Sequence, residues 1–460
     1  MSWFNPFSWK SNFKNKAPVA YNEIPRDQYK ILSQHPLARK LMIETSIQQD
    51  IEGSYYHGML NTLANHCLGP CPILVGQSTS YKVNTQIEDR WTTFTTLNEI
   101  GSALRLLRRS AARTGIGIGI PIVKETGDQV RLGINVIPTE KLQNPLGGGI
   151  KDRWFEGIKY NDNYEPVEIS LDTGESYKVK DILLWWKRKD ECRIAGVPEC
   201  GPALCILPSI KRYLDAIIRS AEFRAAIPLA VRLDPMIWGK EAAESVGMPK
   251  GQFKYEPGMI PTLPPGTSLE GIPVSGIEDE DNAVLLAMVG AAARCINMPL
   301  NLATGDSSRH NMASSQVDFG PWKETVLIDR QDFSVVLYKF INMWLTYGSK
   351  VPGYFSRATN QLIESTELAY TLSYRSPFNH PDPMKVSNSL MTDLISGVKT
   401  LTQIHTEEGR NPRRVIEREA QTLGKTYEEM CNLYLTNRSP SALQVLNLLQ
   451  VPEDNNDQKK

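Results

Sequence analysis

Charge of one sign is what this 460-residue chain lacks: Lys and Arg total 51, and Asp and Glu total 51. A chain without net charge exerts no global pull on nucleic acid or anionic lipid. Long hydrophobic runs are missing as well. The longest clean apolar stretch, AVLLAMVGAAA at 283–293, falls far short of the roughly 20 residues that span a bilayer, so no membrane partner is expected. The opening residues MSWFNPFSWKSNFKNK carry aromatics and lysines but no continuous apolar core and no small-residue cleavage site. They do not read as a signal peptide, and the chain is expected to stay in the cytoplasm.

Reactive side chains are scarce and poorly spaced. Seven cysteines, odd in number and irregular in position, suit reduced buried thiols better than a disulfide framework. HCLGPC at 66–71 offers His66, Cys67 and Cys71, but no second cluster completes a tetrahedral site, so no metal and no cofactor are expected. There is no Walker loop, H-E-x-x-H, G-x-S-x-G or C-x-x-C, and none of the six histidines has a catalytic spacing. The expectation is a protein that is not an enzyme.

What is present is an ordinary globular composition, 41% hydrophobic and 22% charged, long enough for two to four domains. Residues 1–25 read as a flexible arm. Helical spacing then runs from about 31 to 65, followed by two short strands at PILVG and SYKVN. QIEDRWTTFTTLNEIGSALRLLRRSAARTG, 86–115, reads as two amphipathic helices, with Gly115 as C-cap. The second helix carries Arg105, Arg108, Arg109 and Arg113, a candidate basic contact face for phosphate, although a solvated or subunit-contacting face explains it more simply. Gly115, Gly117 and Gly119 imitate a nucleotide motif but lie in a strand pattern, and 115–145 has the alternation and turn of a hairpin. Further strands at FEGIKYNDNYEPVEISL and ILLWWKR complete an α+β domain over 70–190.

The second half of the chain goes out and comes back. A helix over 208–228 is bounded by Pro208 and Pro228. Some fifty Gly- and Pro-rich residues follow, with short strands expected among them. The chain returns along EDEDNAVLLAMVGAAARCINMP, whose leading acids Glu278, Asp279, Glu280 and Asp281 sit where the helix dipole favours negative charge. Next comes a small, polar loop inside INMPLNLATGDSSRHNMASSQVDFGPW, and then a long helix expected to start or kink at Gly320 and Pro321. From Asp382 onward the spacing is helical.

The order of AGVPECGPALCILPSIKRYLDAIIRSAEFRAAIP, IPTLPPGTSLEG, CINMPLNLATGDSSRHNMASSQVDFGPW and DPMKVSNSLMTDLISGVKTLTQIHTEEGRNPRRVIER resembles the lambda-like family of tailed-bacteriophage portal proteins. The resemblance runs from about 30 to 435. It implies a portal fold, α+β, with a wing at 26–205 plus 317–380, a stem at 206–227 plus 281–298, a clip at 228–280, a helical crown at 381–437 and a tail at 438–460. The family's tunnel loop would fall at 299–316, with Asn301, Thr304, Gly305, Asp306, Ser307, Ser308, Arg309, His310 and Asn311 facing a DNA channel. Glu278 to Asp281 would form an acidic surface between stem and clip.

The resemblance further implies a homo-oligomeric ring, usually of twelve subunits, at one capsid vertex of the virion, assembled in the host cytoplasm. The implied partners are the terminase large subunit, a head-tail adaptor, the major capsid and scaffold proteins, and double-stranded DNA passing without sequence preference. Balanced charge suits such a conduit, because about six to ten phosphate contacts already change affinity by roughly 10³ to 10⁵ over a modest salt range. Two rival readings are a metal-dependent DNA-processing enzyme with a lid loop and another structural head-tail connector component.

Overall fold

The structure, a computed structural model, describes residues 36–149, 152–163, 165–187, 196–226, 230–233, 267–270, 279–306, 308, 312–376, 383–408 and 410–436. In chain order the elements begin with α1 (Pro36–Glu52), α2 (Ser54–Leu68), β1 (Ile73–Gly76), α3 (Tyr81–Leu97) and α4 (Ile100–Thr114). Seven short strands follow: β2 (Gly117–Val123), β3 (Leu132–Ile137), β4 (Trp154–Phe155), β5 (Ile158–Tyr160), β6 (Pro166–Ser170), β7 (Ser176–Lys178) and β8 (Leu183–Trp185). Then come α5 (Leu207–Ala226), β9 (Ala230–Leu233), β10 (Thr267–Glu270), α6 (Asp279–Arg294), α7 (Leu300–Thr304), α8 (Met312–Lys350), α9 (Arg357–Glu364) and β11 (Tyr370–Ser373). Four helices close the described chain: α10 (Pro383–Ile395), α11 (Leu401–Glu407), α12 (Pro412–Leu423) and α13 (Tyr427–Thr436).

The spine is α8, 39 residues and therefore about 58 Å long. Its buried positions Trp322, Val326, Asp329, Phe333, Leu337, Phe340 and Trp344 recur every three or four residues, so one stripe from 322 to 344 faces inward. The C-terminal half lies in a core with α3, α4 and β1. There Trp344 meets Trp91 edge-on at 5.2 Å and stacks on Phe94 at 5.5 Å. The N-terminal half reaches a second core, where Trp322 and Val326 join residues of α2, α5, α6 and α7. One helix thus ties both cores together.

Strand pairing closes the first core over a long sequence distance. β1 pairs antiparallel with β11, Ile73 opposite Ser373 and Gly76 opposite Tyr370. The expected hairpin is β2 with β3, and β8 flanks β2 on its other edge. Gly117 and Gly119 are there for close packing: a Cβ on Gly119 would stand 2.9 Å from Ile134 and 3.0 Å from Leu107. β4 to β7 form a small meander over Ile158, Tyr160 and Ile169.

Two sequence expectations are corrected. SYKVN is the start of α3, not a strand, because Val83, Ile87, Trp91 and Phe94 bury one helical face and the local alternation is incidental. The long helix starts at Met312 and carries Pro321 in its interior, so of the two expected roles for Gly320 and Pro321, start or kink, the start is excluded. Most of the Gly- and Pro-rich excursion lies outside the described residues, but its short strands β9 and β10 pair antiparallel.

Candidate functional site

The loop expected to run from 299 to 316 is shorter than the sequence implies. Asn301 and Thr304 belong to α7, with Asn301 only 8% exposed, and Gly305 ends that helix in the left-handed region at φ 72°. Proline at 299 favours this arrangement, since it suits a helix start and stops α6 from continuing. The turn between α7 and α8 is therefore 305–311. Within it Asp306 and Ser308 are exposed, and the Ser308 backbone N–H donates to the Asp306 carboxylate at 2.8 Å. Ser307, Arg309, His310 and Asn311 lie outside the described residues, as does Glu278, while Asp279 to Asp281 form the first turn of α6.

Both flanks of the turn are anchored. α7 packs on α2 and α6, and α6 packs on α5. On the far flank the buried Trp322 indole N–H donates to His66 Nδ1 at 3.0 Å, which requires that nitrogen to be unprotonated. Burial, assisted by Arg330, lowers the His66 pKa below the ordinary histidine value and keeps it so. Arg330 clamps the same helix end. Its guanidinium donates to the carbonyls of His66 at 2.8 Å, Cys67 at 2.9 Å and Arg375 at 2.8 Å, two of them at the negative end of the α2 dipole.

The four arginines of α4 do not form one exposed face. Arg108 is wholly buried, making two parallel bonds to Asp329 and an ion pair of 2.7 Å with Glu199, with its guanidinium over Trp185. Burial opposes both charges, yet each partner outweighs it: the Asp329 pKa is lowered, with Lys187 helping, and the Arg108 pKa is raised. Arg109 makes a fork to Asp50 at 2.7 and 3.1 Å, and Arg113 reaches the same carboxylate at 3.3 Å. Arg105 donates to the carbonyls of Gly69 and Pro70. Three of the four cations pair with acids of the same chain, which corrects the phosphate-contact reading of Arg108 outright.

Sequence reading missed Asp50, Glu199, Asp329, Arg330 and Glu88. A signal existed for two of them: Asp329 and Arg330 fall on the apolar stripe between Val326 and Phe333, where a charge must be paired. Glu88 bridges the body to the last helices. It accepts from Gly76 N–H at 2.9 Å and from the Asn411 amide at 2.5 Å, and Asn411 in turn caps α12. The segment that leads into α5 crosses α4 at Gly115 and Gly196, so tightly that a Cβ on Gly196 would stand 1.7 Å from the Gly115 carbonyl oxygen.

Among the described residues no cluster of His, Cys, Asp or Glu is placed to hold a metal, and no helix is long and apolar enough to cross a membrane. The profile of the lambda family of phage portal proteins matches residues 34–320, well over half of the sequence and all of the α5, excursion, α6 and turn order. The chain belongs to that family. No curated protein sequence matches this portal chain significantly. Among solved structures it is similar to a chain in the neck of an empty gene transfer agent particle, at 15% identity and a TM-score of 0.44, covering 80% of this chain and 94% of that one. A chain of the native gene transfer agent virion gives 14% and 0.43, covering 82% and 95%. An HK97-family phage portal protein from Corynebacterium diphtheriae gives 12% and 0.29, covering 59% and 83%.

Proposed function

We propose that this portal chain is one subunit of a closed ring, of about twelve copies, that forms the DNA conduit at one capsid vertex. Packaged DNA passes inward through the ring under the terminase motor and outward on infection, and the ring joins head to tail through an adaptor. α5 and α6 would be the stem, 228–280 the clip, the helices from α10 onward the crown, and the rest of the described body the wing. The channel loop would be the shortened turn 305–311. The partners would be further copies of the chain, the terminase large subunit, the adaptor, the capsid and scaffold proteins, and double-stranded DNA.

One observation carries the reading beyond family membership. The arginine-rich helix pairs three of its four cations with Asp50, Glu199 and Asp329, while the described part of the turn offers only Asp306 and Ser308. A passage that gathered cations would bind phosphate and stall the strand. A head-to-tail interface repeated around an axis closes into a ring when the rotation permits. Native mass spectrometry and electron-microscope class averages of the purified chain test this. A closed ring with a central hole is the expected result, whereas a chain that stays monomeric at every concentration and in the presence of its capsid and scaffold proteins overturns it.

A further inference from the structure

Two outer helix faces of the body carry similar apolar patterns with charge of opposite sign. On α8 the positions opposite the buried stripe are Val317, Glu324, Ile328, Gln331 and Val335, all of them exposed, the three apolar ones at 76%, 54% and 69%. Asp318 and Asp332 flank this stripe, and neither they nor Glu324 make an ion pair among the described residues. The cations of α8 between Val317 and Lys339 point elsewhere. Lys323 lies about 120° round the helix from Val317, Arg330 is buried on its three carbonyls, and Lys339 donates to the carbonyls of Val179 and Ile182. The α4 face has the other sign. Arg105, Leu106, Arg109 and Arg113 share its outer side, with Leu106 52% exposed between partly exposed arginines. Asp50 is shared by Arg109 and Arg113, and Arg105 meets only the carbonyls of Gly69 and Pro70, so three cations stand against one acid. At the margins Glu52 is held by Lys211 and Glu99 by Lys124, so neither cancels the excess.

We propose that these two faces meet between successive copies of the chain, the α8 face of one subunit seated on the α4 face of the next. The proposal rests on the ring reading above and names the surfaces that close the ring. Glu324 and Asp332 are eight residues apart, as are Arg105 and Arg113, so each pair spans about 12 Å along its helix, with Ile328 and Leu106 between them as the apolar contact. Apolar side chains set among arginines have the composition of an interface, and an apolar stripe beside unpaired acids marks an unfilled one. Opposite charge fixes the register and disfavours α4 on α4 and α8 on α8. Within one subunit α4 and α8 turn their buried sides to each other through Arg108 and Asp329, so their outer faces are different surfaces. A contact between two different surfaces is heterologous, and it repeats from copy to copy until the rotation closes it.

The test uses the full chain in two charge-reversed forms, Arg105→Glu with Arg113→Glu, and Glu324→Arg with Asp332→Arg. Neither form should close a ring alone, because each sets like charges against each other. An equimolar mixture should close rings in which the two forms alternate, read by native mass spectrometry as a one-to-one ratio. A ring from either form alone, mixed rings of random composition, or a mixture of well-folded forms that stays unassembled overturns the pairing and leaves the ring reading intact. A natural chain that forms no ring overturns both. Each form is first melted beside the natural chain, because Arg113 also contacts Asp50. For a form that melts early, a second measurement decides: in an assembly of isotopically light and heavy chains carrying Leu106→Cys and Ile328→Cys, a short bismaleimide should link position 106 of one chain to position 328 of another. A closed ring without that link overturns the proposal.

Discussion

Arg108 and Asp329, 221 residues apart in sequence, are joined by two parallel hydrogen bonds of 2.8 and 2.9 Å, and neither side chain is exposed. The pair fastens α4 to the spine helix α8 at the boundary between the two cores. Removing one partner leaves the other charge buried, so Asp329→Ala should cost about 3–5 kcal/mol, read as a lower denaturant midpoint at unchanged slope. The double variant with Arg108→Ala should fall well short of the sum of the singles. Because the native Asp329 pKa is lowered, its contribution is complete above the unfolded value of about 3.9 and is lost as pH falls through the native value. The stability gap between the natural chain and Asp329→Asn should therefore close only in strong acid.

The His66 and Trp322 pair has a different pH signature. With the native pKa below the unfolded value near 6.5, the unfolded chain takes up the proton first, so stability falls as pH drops below about 6.5. His66→Gln, which keeps an acceptor for the indole N–H, should flatten the unfolding midpoint between pH 7.5 and 5.5. His66→Leu should also flatten it but cost about 1–3 kcal/mol at both values through the unsatisfied donor.

Two glycines should respond in opposite directions to alanine. Gly196→Ala forces a Cβ into the Gly115 carbonyl and should destabilise by at least about 1–3 kcal/mol. Gly58→Ala, inside α2 with nothing near its Cβ, should stabilise by up to about 1 kcal/mol. Paired thermal melts check both.

Pro321, the tenth residue of α8, interrupts its hydrogen-bond ladder. Residues 312–320, which lead from the turn, should exchange their amides faster than 322–345. Pro321→Ala should slow that exchange, by an amount equivalent to about 1–3 kcal/mol, and leave the rest of the helix unaffected.

Ser308 is exposed in the turn, so Ser308→Arg adds a cation without disturbing the cores. Ring formation should be unchanged. DNA packaging by the reconstituted motor should slow at low salt and recover as salt rises, because each phosphate contact contributes a salt-dependent term. An unchanged packaging rate at every salt concentration would place the turn away from the DNA path.

Local pattern in the sequence carried much of this architecture, because burial on one face writes a period into the residues that make it. Gly115 as the α4 cap, the 115–145 hairpin, the α5 helix and the presence of short strands in the excursion all follow from such periods and their stops, whereas the pairing of those strands does not. Tyr81 to Asn84 misled because four alternating residues fit a strand as well as a helix, and only the continuation to Trp91 and Phe94 decides. Pro321 allows a start or a kink, and only the helical residues 312–320 ahead of it decide against a start. Pairing was beyond reach: Arg108 looks like Arg105 until Asp329 and Glu199 are brought beside it, and nothing local marks Asp50 as the shared partner of Arg109 and Arg113.

The pairing of β1 with β11 also sets a timetable. On a ribosome adding about 5–20 residues per second, Gly76 waits roughly 15–60 s for Tyr370 to be made, and for most of that time Trp91 and Phe94 also lack the spine helix that covers them. The nascent body therefore remains open at its apolar edge through synthesis of the whole excursion. Folding of this chain is expected to be slow, because its first core closes only through a pairing nearly 300 residues apart in sequence.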